Sequence, residues 1–206
     1  MIHHYYHVYA DGQWRVPLEE HIAAVSTIGE KVVTKIGIVG SASNAALVSD
    51  ALPEDWEICN WSSEGWEQET LDLIYMDAGE LNGPVLYAHT KGAGVPMPYS
   101  DDWRRCMNRI ITDSKVCLDL LAEGHDTVGC HLLTPERWPQ IGDKPFYGGN
   151  FWWATDDHIR RLGPPENDTR FHAEAWLTSV LPNNPANLVP GWPGGDCHKH
   201  LPKEVS

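Results

Sequence analysis

The chain has 206 residues, 42% of them hydrophobic, and a formal net charge of −14. That length suits one substantial core and makes a single domain the default, while the acidic balance opposes broad contact with nucleic acid or anionic lipid but leaves room for a local basic groove. The cysteines (Cys59, Cys106, Cys117, Cys130 and Cys197) are odd in number and form no Cys-x-x-Cys pair, which fits a reducing cytoplasmic compartment better than a disulfide framework.

Met1-Ile2-His3-His4-Tyr5 lacks the basic region and long apolar run of a signal peptide and reads as the start of a strand. No apolar run approaches the length of a membrane span. The aromatic stretch 4–9 predicts a first strand, broken by Asp11-Gly12. A helix is expected over 17–28, with Pro17 near its start and Gly29 as its stop. Residues 35–40 read as a short buried strand, 44–52 as a short helix closed by Pro53, and 56–61 as a third strand. A helix over 65–81 follows, then an apolar strand over 84–88 that runs into His89-Thr90-Lys91-Gly92 and a Gly- and Pro-rich loop over 92–100.

The clearest helical periodicity lies over 101–123, where Trp103, Met107, Ile110, Ile111, Leu118 and Leu121 recur at helical spacing. Ser100 or Asp101 can cap its start and Gly124 ends it. Strands are expected over 127–133 and 151–154, with helices over 155–162 and 170–181. From Pro182 the chain is rich in Pro, Asn and Gly and reads as irregular. Alternation of this kind implies an α/β fold, a mostly parallel twisted sheet flanked by helices. The expected organisation is one domain over 1–181 and a tail over 182–206 packing on or near the active site.

In such sheets ligands bind beyond the carboxyl ends of the strands. That rule selects Tyr9-Ala10-Asp11, Val39-Gly40-Ser41, Ala88-His89-Thr90-Lys91-Gly92 and Gly149-Asn150. His89 and Lys91 lie two apart on a strand end, so both can face one ligand, and Gly92 permits close backbone approach. Arg104 and Arg105 at a helix start add cationic character suited to phosphate, although paired arginines on a helix also serve as plain surface charge. The run Tyr147-Gly148-Gly149-Asn150-Phe151-Trp152-Trp153-Ala154 places two tryptophans on opposite faces of a strand. One enters the core; the other, beside an amide, suits the flat face of a sugar or nucleobase, or else belongs to a Trp-rich core. Glu174 sits one turn after Arg170 and can orient or deprotonate a hydroxyl if it faces a pocket; an exposed ion pair with Arg170 is the alternative. Asp196-Cys197-His198-Lys199-His200 carries potential metal ligands without the spacing of a structural zinc site. No P-loop, G-x-G-x-x-G or G-x-S-x-G element occurs.

Taken in order, Tyr6-His7-Val8-Tyr9-Ala10-Asp11-Gly12, Tyr87-Ala88-His89-Thr90-Lys91-Gly92, Trp103-Arg104, Gly149-Asn150-Phe151-Trp152-Trp153-Ala154 and Glu174-Ala175-Trp176 resemble the small GT-A type glycosyltransferases of bacteria and bacteriophages. The resemblance runs from Tyr6 to Trp176. It implies a GT-A-like, Rossmann-like domain that moves a sugar from a nucleotide-diphosphate sugar, a UDP-sugar favoured, to an acceptor hydroxyl on a glycan, a protein or a hydroxymethylated base in phage DNA. Tyr9 and Asp11 would lie near the base or ribose. His89, Thr90 and Lys91 would occupy the place of the family's Asp-x-Asp metal motif, from which this chain departs. Lys91 and Arg104 would then neutralise the diphosphate, or a divalent ion (Mn²⁺ or Mg²⁺) would be held by His198 or an aspartate. Gly149, Asn150, Trp152 and Trp153 would line the sugar and acceptor site, and Glu174 would be the catalytic carboxylate. The competing expectation is a non-catalytic carbohydrate-binding or interaction module, supported by ten tryptophans and opposed by the βαβ alternation.

Overall fold

A computed structural model describes residues 1–190 apart from 96, 98, 138–140 and 142. The chain opens with β1 (Ile2–Tyr9), α1 (Arg15–Val25), β2 (Val32–Val39), α2 (Ala42–Ser49), β3 (Trp56–Ser62), α3 (Gln68–Asp77) and β4 (Val85–His89). It continues through α4 (Ser100–Ile111), α5 (Ser114–Ala122), β5 (Thr127–Gly129), β6 (Leu132–Leu133), β7 (Phe146–Tyr147), β8 (Trp152–Ala154), α6 (Asp156–Ile159), α7 (His172–Trp176) and β9 (Pro185–Asn187). Seven strands form one sheet in the order β3-β2-β1-β4-β8-β5-β9. Every neighbouring pair is parallel except those involving β8, which runs against both β4 and β5. A separate two-stranded ladder joins β6 to β7.

The expected α/β architecture with a mostly parallel sheet is what the chain adopts. Its core follows from the two-residue period of extended backbone. On one face, Tyr6, Val8, Leu86, Ala88 and Trp153 pack against Leu18, Val25, Met107, Ile111 and Cys117 of α1, α4 and α5. On the other, Tyr5, Val85, Tyr87, Trp152 and Ala154 meet Leu71 and Ile74 of α3, Ile159 of α6 and Trp176 of α7. Gly37 lets α3 approach β2 closely, since a Cβ there would lie 2.1 Å from the Thr70 hydroxyl oxygen.

The helix expected over 101–123 is two helices. Thr112 turns its hydroxyl back onto the Asn108 carbonyl at 2.7 Å, and the Asp113 side chain accepts the Val116 amide as an N-cap. Local side-chain bonding of this kind competes with helix continuation. The strand expected over 127–133 is interrupted at His131, whose φ is 55°. The last helix is shorter than the expected 170–181. Within the stretch from Pro182 that composition marks as irregular, β9 pairs with β5 at the sheet edge.

Candidate active site

The strand order places the site. From β1 the chain builds outward to β2 and β3, then crosses to the opposite side of β1 for β4. Two parallel strands whose connections depart in opposite directions leave a crevice at their carboxyl ends. Here that crevice is a cavity of about 540 Å³, lined by His7 and Tyr9 of β1, by His89, Thr90, Lys91 and Gly92 after β4, and by Trp66 and Glu67 before α3. Trp103 of α4 and the Arg170, Phe171 and Glu174 side chains around α7 close its far wall. The volume is that of a small-molecule site.

Lys91 projects over the Trp103 ring, its ammonium nitrogen 4.1 Å from the ring centroid, a cation–π seat that fixes the charge at the cavity. Thr90 is buried and accepts the Tyr9 amide at 2.9 Å, tying β4 to β1. His89 is 9% exposed. Its Nε2 donates to the Gly149 carbonyl at 2.9 Å, and its Nδ1 lies 3.5 Å from the Glu67 carboxylate. Nε2 is thereby committed to Gly149, and burial lowers the pKa of the ring against the opposing pull of Glu67. Tyr9 stays 36% exposed at the cavity edge.

Several expected site residues do other work. Arg104 is 1% exposed: its Nε donates to Glu20 at 2.8 Å and its Nη1 to Asp101 at 2.9 Å and to the Lys91 carbonyl at 3.1 Å. It holds the Lys91 loop from behind and lines a neighbouring cavity with Gly92 and Met97. Arg105 pairs with Glu20 at 2.7 Å, and Arg109 lies in the groove between α1 and α4, so Lys91, Arg104, Arg105 and Arg109 do not form one basic groove. Asp11 turns away from the cavity and accepts the Ser41 amide, the Ser41 hydroxyl and the Asn44 amide, all within 2.9 Å, clamping the β1 and β2 ends. Those bonds depress its pKa, the Ser41 backbone amide foremost.

Trp152 and Trp153 are 1% and 0% exposed, each packed in the core on its own face of the sheet, so neither ring meets a sugar. The indole of Trp153 donates to the Ile111 carbonyl and that of Trp152 to Asn150. Because β8 is antiparallel, the Gly149-Asn150 turn enters the sheet at the same edge where β1 and β4 leave it. Asn150 is buried there, donating to the Glu67 carboxylate at 2.7 Å. Gly149 has φ 90°, and a Cβ on it would lie 2.8 Å from Trp103 and Met107. Both residues support the cavity from beneath.

Glu174 does face the cavity. Burial raises its pKa, and the nearby Glu67 charge adds to that rise, against the opposing pull of Lys91, the Gly149 amide and Arg170. Glu67, which the sequence reading passed over, behaves in the opposite sense. Burial pushes its carboxyl up, but His89, His7, Asn150 and Lys91 together bring it below the ordinary range. Two carboxylates with pKa values driven apart are the arrangement that separates a proton carrier from a fixed charge. The rule that selected four strand ends, applied also to the third strand, would have selected the loop that carries Trp66 and Glu67.

The strand-end donor set does not fit a divalent cation. The position of the Asp-x-Asp motif offers an imidazole bonded through Nε2, a buried hydroxyl and a lysine in place of two carboxylates. Among the described residues no group of three or more His, Cys, Asp or Glu side chains is placed to hold a metal. His198 lies outside the described residues. No described helix is long and apolar enough to cross a membrane.

Solved structures of similar fold are found. A putative nucleotide-diphospho-sugar transferase from Desulfovibrio desulfuricans G20 superposes with a TM-score of 0.52 at 8% identity, over 92% of this chain and 80% of that one. The 1–349 portion of S. aureus TarS superposes with a TM-score of 0.53 at 7% identity, over 90% of this chain and 57% of that one. At these identities the superpositions show that the α/β fold is shared with both. No protein-family model and no curated protein matches the sequence.

Proposed function

We propose that this protein is a glycosyltransferase whose donor, a nucleotide-diphosphate sugar with UDP favoured as the nucleotide, lies in the crevice between β1 and β4. The observation that carries the reading is the pairing, across one 540 Å³ cavity at the sheet's crossover point, of Lys91 with Glu174. Departure of a diphosphate needs positive charge near the leaving oxygens, and Lys91, held on the Trp103 face, supplies it. Transfer to a hydroxyl needs a group that orients the acceptor and takes its proton, and Glu174 stands on the wall formed by α7. The exposed aromatic surface for a base or sugar is Tyr9, Trp66 and Phe171 rather than Trp152 or Trp153.

The resemblance to phage enzymes raises a modified DNA base as acceptor; the net charge of −14 and the arginines on separate surfaces give that base no basic groove, and we favour a glycan or protein hydroxyl. With Trp152 and Trp153 buried, the tryptophan count behind a non-catalytic carbohydrate module rests on other rings, Trp61 and Trp66 among them.

A panel of nucleotide sugars scored for donor hydrolysis and transfer, with and without Mn²⁺, tests the proposal. One donor is expected to turn over, and Glu174→Gln to reduce that turnover by about 10²-fold or more. Absence of turnover with every donor, or a wild-type rate in Glu174→Gln, contradicts it.

A further inference from the structure

Glu67 makes more directed contacts than any role as a surface carboxylate at the start of α3 requires. One carboxylate oxygen accepts the Tyr87 hydroxyl at 3.0 Å and the Asn150 amide at 2.7 Å. The other faces Nδ1 of His89 at 3.5 Å. His89 then donates through Nε2 to the carbonyl of Gly149, and the backbone amide of that same glycine acts on the Glu174 carboxylate. The turn so held contains two consecutive residues in the left-handed region, Gly149 at φ 90° and Asn150 at φ 55°, which glycine and asparagine adopt readily. A chain of contacts thus runs from Glu67 through His89 and Asn150 to the turn, beside the cavity that Glu67, His89 and Glu174 line together.

We propose that Glu67 is a positioning residue of this site: through His89 and the Gly149-Asn150 turn it fixes the backbone against which Glu174 sits, and it supplies the negative charge that Glu174 works beside. The inference rests on the reading of Glu174 as the acid–base group and assigns that group its partner. The charged and titratable groups around Glu174 are Lys91 from the loop after β4, Glu67 from the start of α3, and Arg170 from the approach to α7. Around Glu67 they are His7, His89 and Lys91. Burial is the largest influence that keeps the proton on Glu174 and Glu67 adds to it, against Lys91, the Gly149 amide and Arg170. The physical consequence is that Glu67 stays ionised while Glu174 retains a proton to higher pH than an ordinary carboxyl.

The test is a carboxyl-carbon NMR titration of Glu174, assigned by its disappearance in Glu174→Gln, in the wild-type chain and in Glu67→Gln. Glutamine keeps the acceptor for Tyr87 and Asn150 and offers His89 a donor, so it removes the charge with little change of shape. The Glu174 midpoint is expected to fall by about half a pH unit or more in Glu67→Gln, and an unchanged midpoint overturns the proposal. Glu67→Asp keeps the charge and carries the test if the glutamine variant fails to fold. Its Glu174 midpoint is expected to stay raised, and a fall to the ordinary range overturns the proposal equally. No substrate enters these titrations, so their failure is distinct from failure of the transferase reading, which shows as absence of donor turnover in the wild-type protein.

Discussion

At the scale of single residues, ligand binding depends on which cations face the cavity. Lys91 and Arg104 both follow β4 in sequence, yet only Lys91 faces the cavity, while Arg104 is spent on Glu20, Asp101 and the Lys91 carbonyl. Lys91→Ala is expected to weaken nucleotide-diphosphate binding about tenfold or more, the loss of a charge-assisted contact, while leaving thermal stability near wild type. Arg104→Ala is expected to do the reverse, lowering stability by about 1–3 kcal/mol as the Lys91 carbonyl loses its donor, while Glu20 keeps Arg105. Paired calorimetric binding and denaturant unfolding of the two variants separates the roles; equal loss of affinity with unchanged stability in both would return Arg104 to the binding site. His89, Lys91 and Glu174 were legible in the sequence as residues at strand ends and on a helix. The division of labour between them was not, because it depends on Glu20, Glu67 and Gly149, which are distant in sequence.

At the scale of elements, the sheet explains both what the sequence revealed and what it concealed. Alternating strands and helices up to β4 were readable because each buried strand is a short apolar run between turn residues. The direction of β8 was not readable, since a three-residue strand reads alike from either end. That direction decides the role of the Gly149-Asn150 turn, which enters the sheet rather than ending a strand. The interior position of β8, between β4 and β5 with helices over both faces, leaves Trp152 and Trp153 in the core on two faces rather than one in and one out. The break between α4 and α5 escaped periodicity analysis because apolar residues keep helical spacing across it while Thr112 and Asp113 stop the backbone. Trp153→Ala is accordingly expected to destabilise the fold by about 3–5 kcal/mol, measured by denaturant unfolding. Loss of sugar or nucleotide affinity at full stability would instead mean that the indole is part of the binding surface.

At the scale of the whole molecule, buried histidines tie stability to pH. His4 and His21 face each other at 3.0 Å between Thr34 and Asn108, and His7 contacts Thr70. Burial disfavours their protonated forms, lowering His4 well below its ordinary value and holding His7 and His21 at about 4. The unfolded chain takes up these protons near 6.5, whereas the folded chain resists them. Stability is therefore complete above about pH 6.5 and falls as pH drops toward about 4, by roughly 1.4 kcal/mol per pH unit for each histidine. Denaturant unfolding at pH 7, 6 and 5 checks this, and stability that is flat or rising on acidification contradicts it.

The crevice itself is tested most directly by mapping amide hydrogen exchange with and without UDP. Slowed exchange is expected at the end of β1, in the Lys91 loop and around Trp66. Protection confined to the groove between α1 and α4, an open cavity of about 590 Å³ on the flank of the sheet, would contradict the assignment of the donor to the β1–β4 crossover.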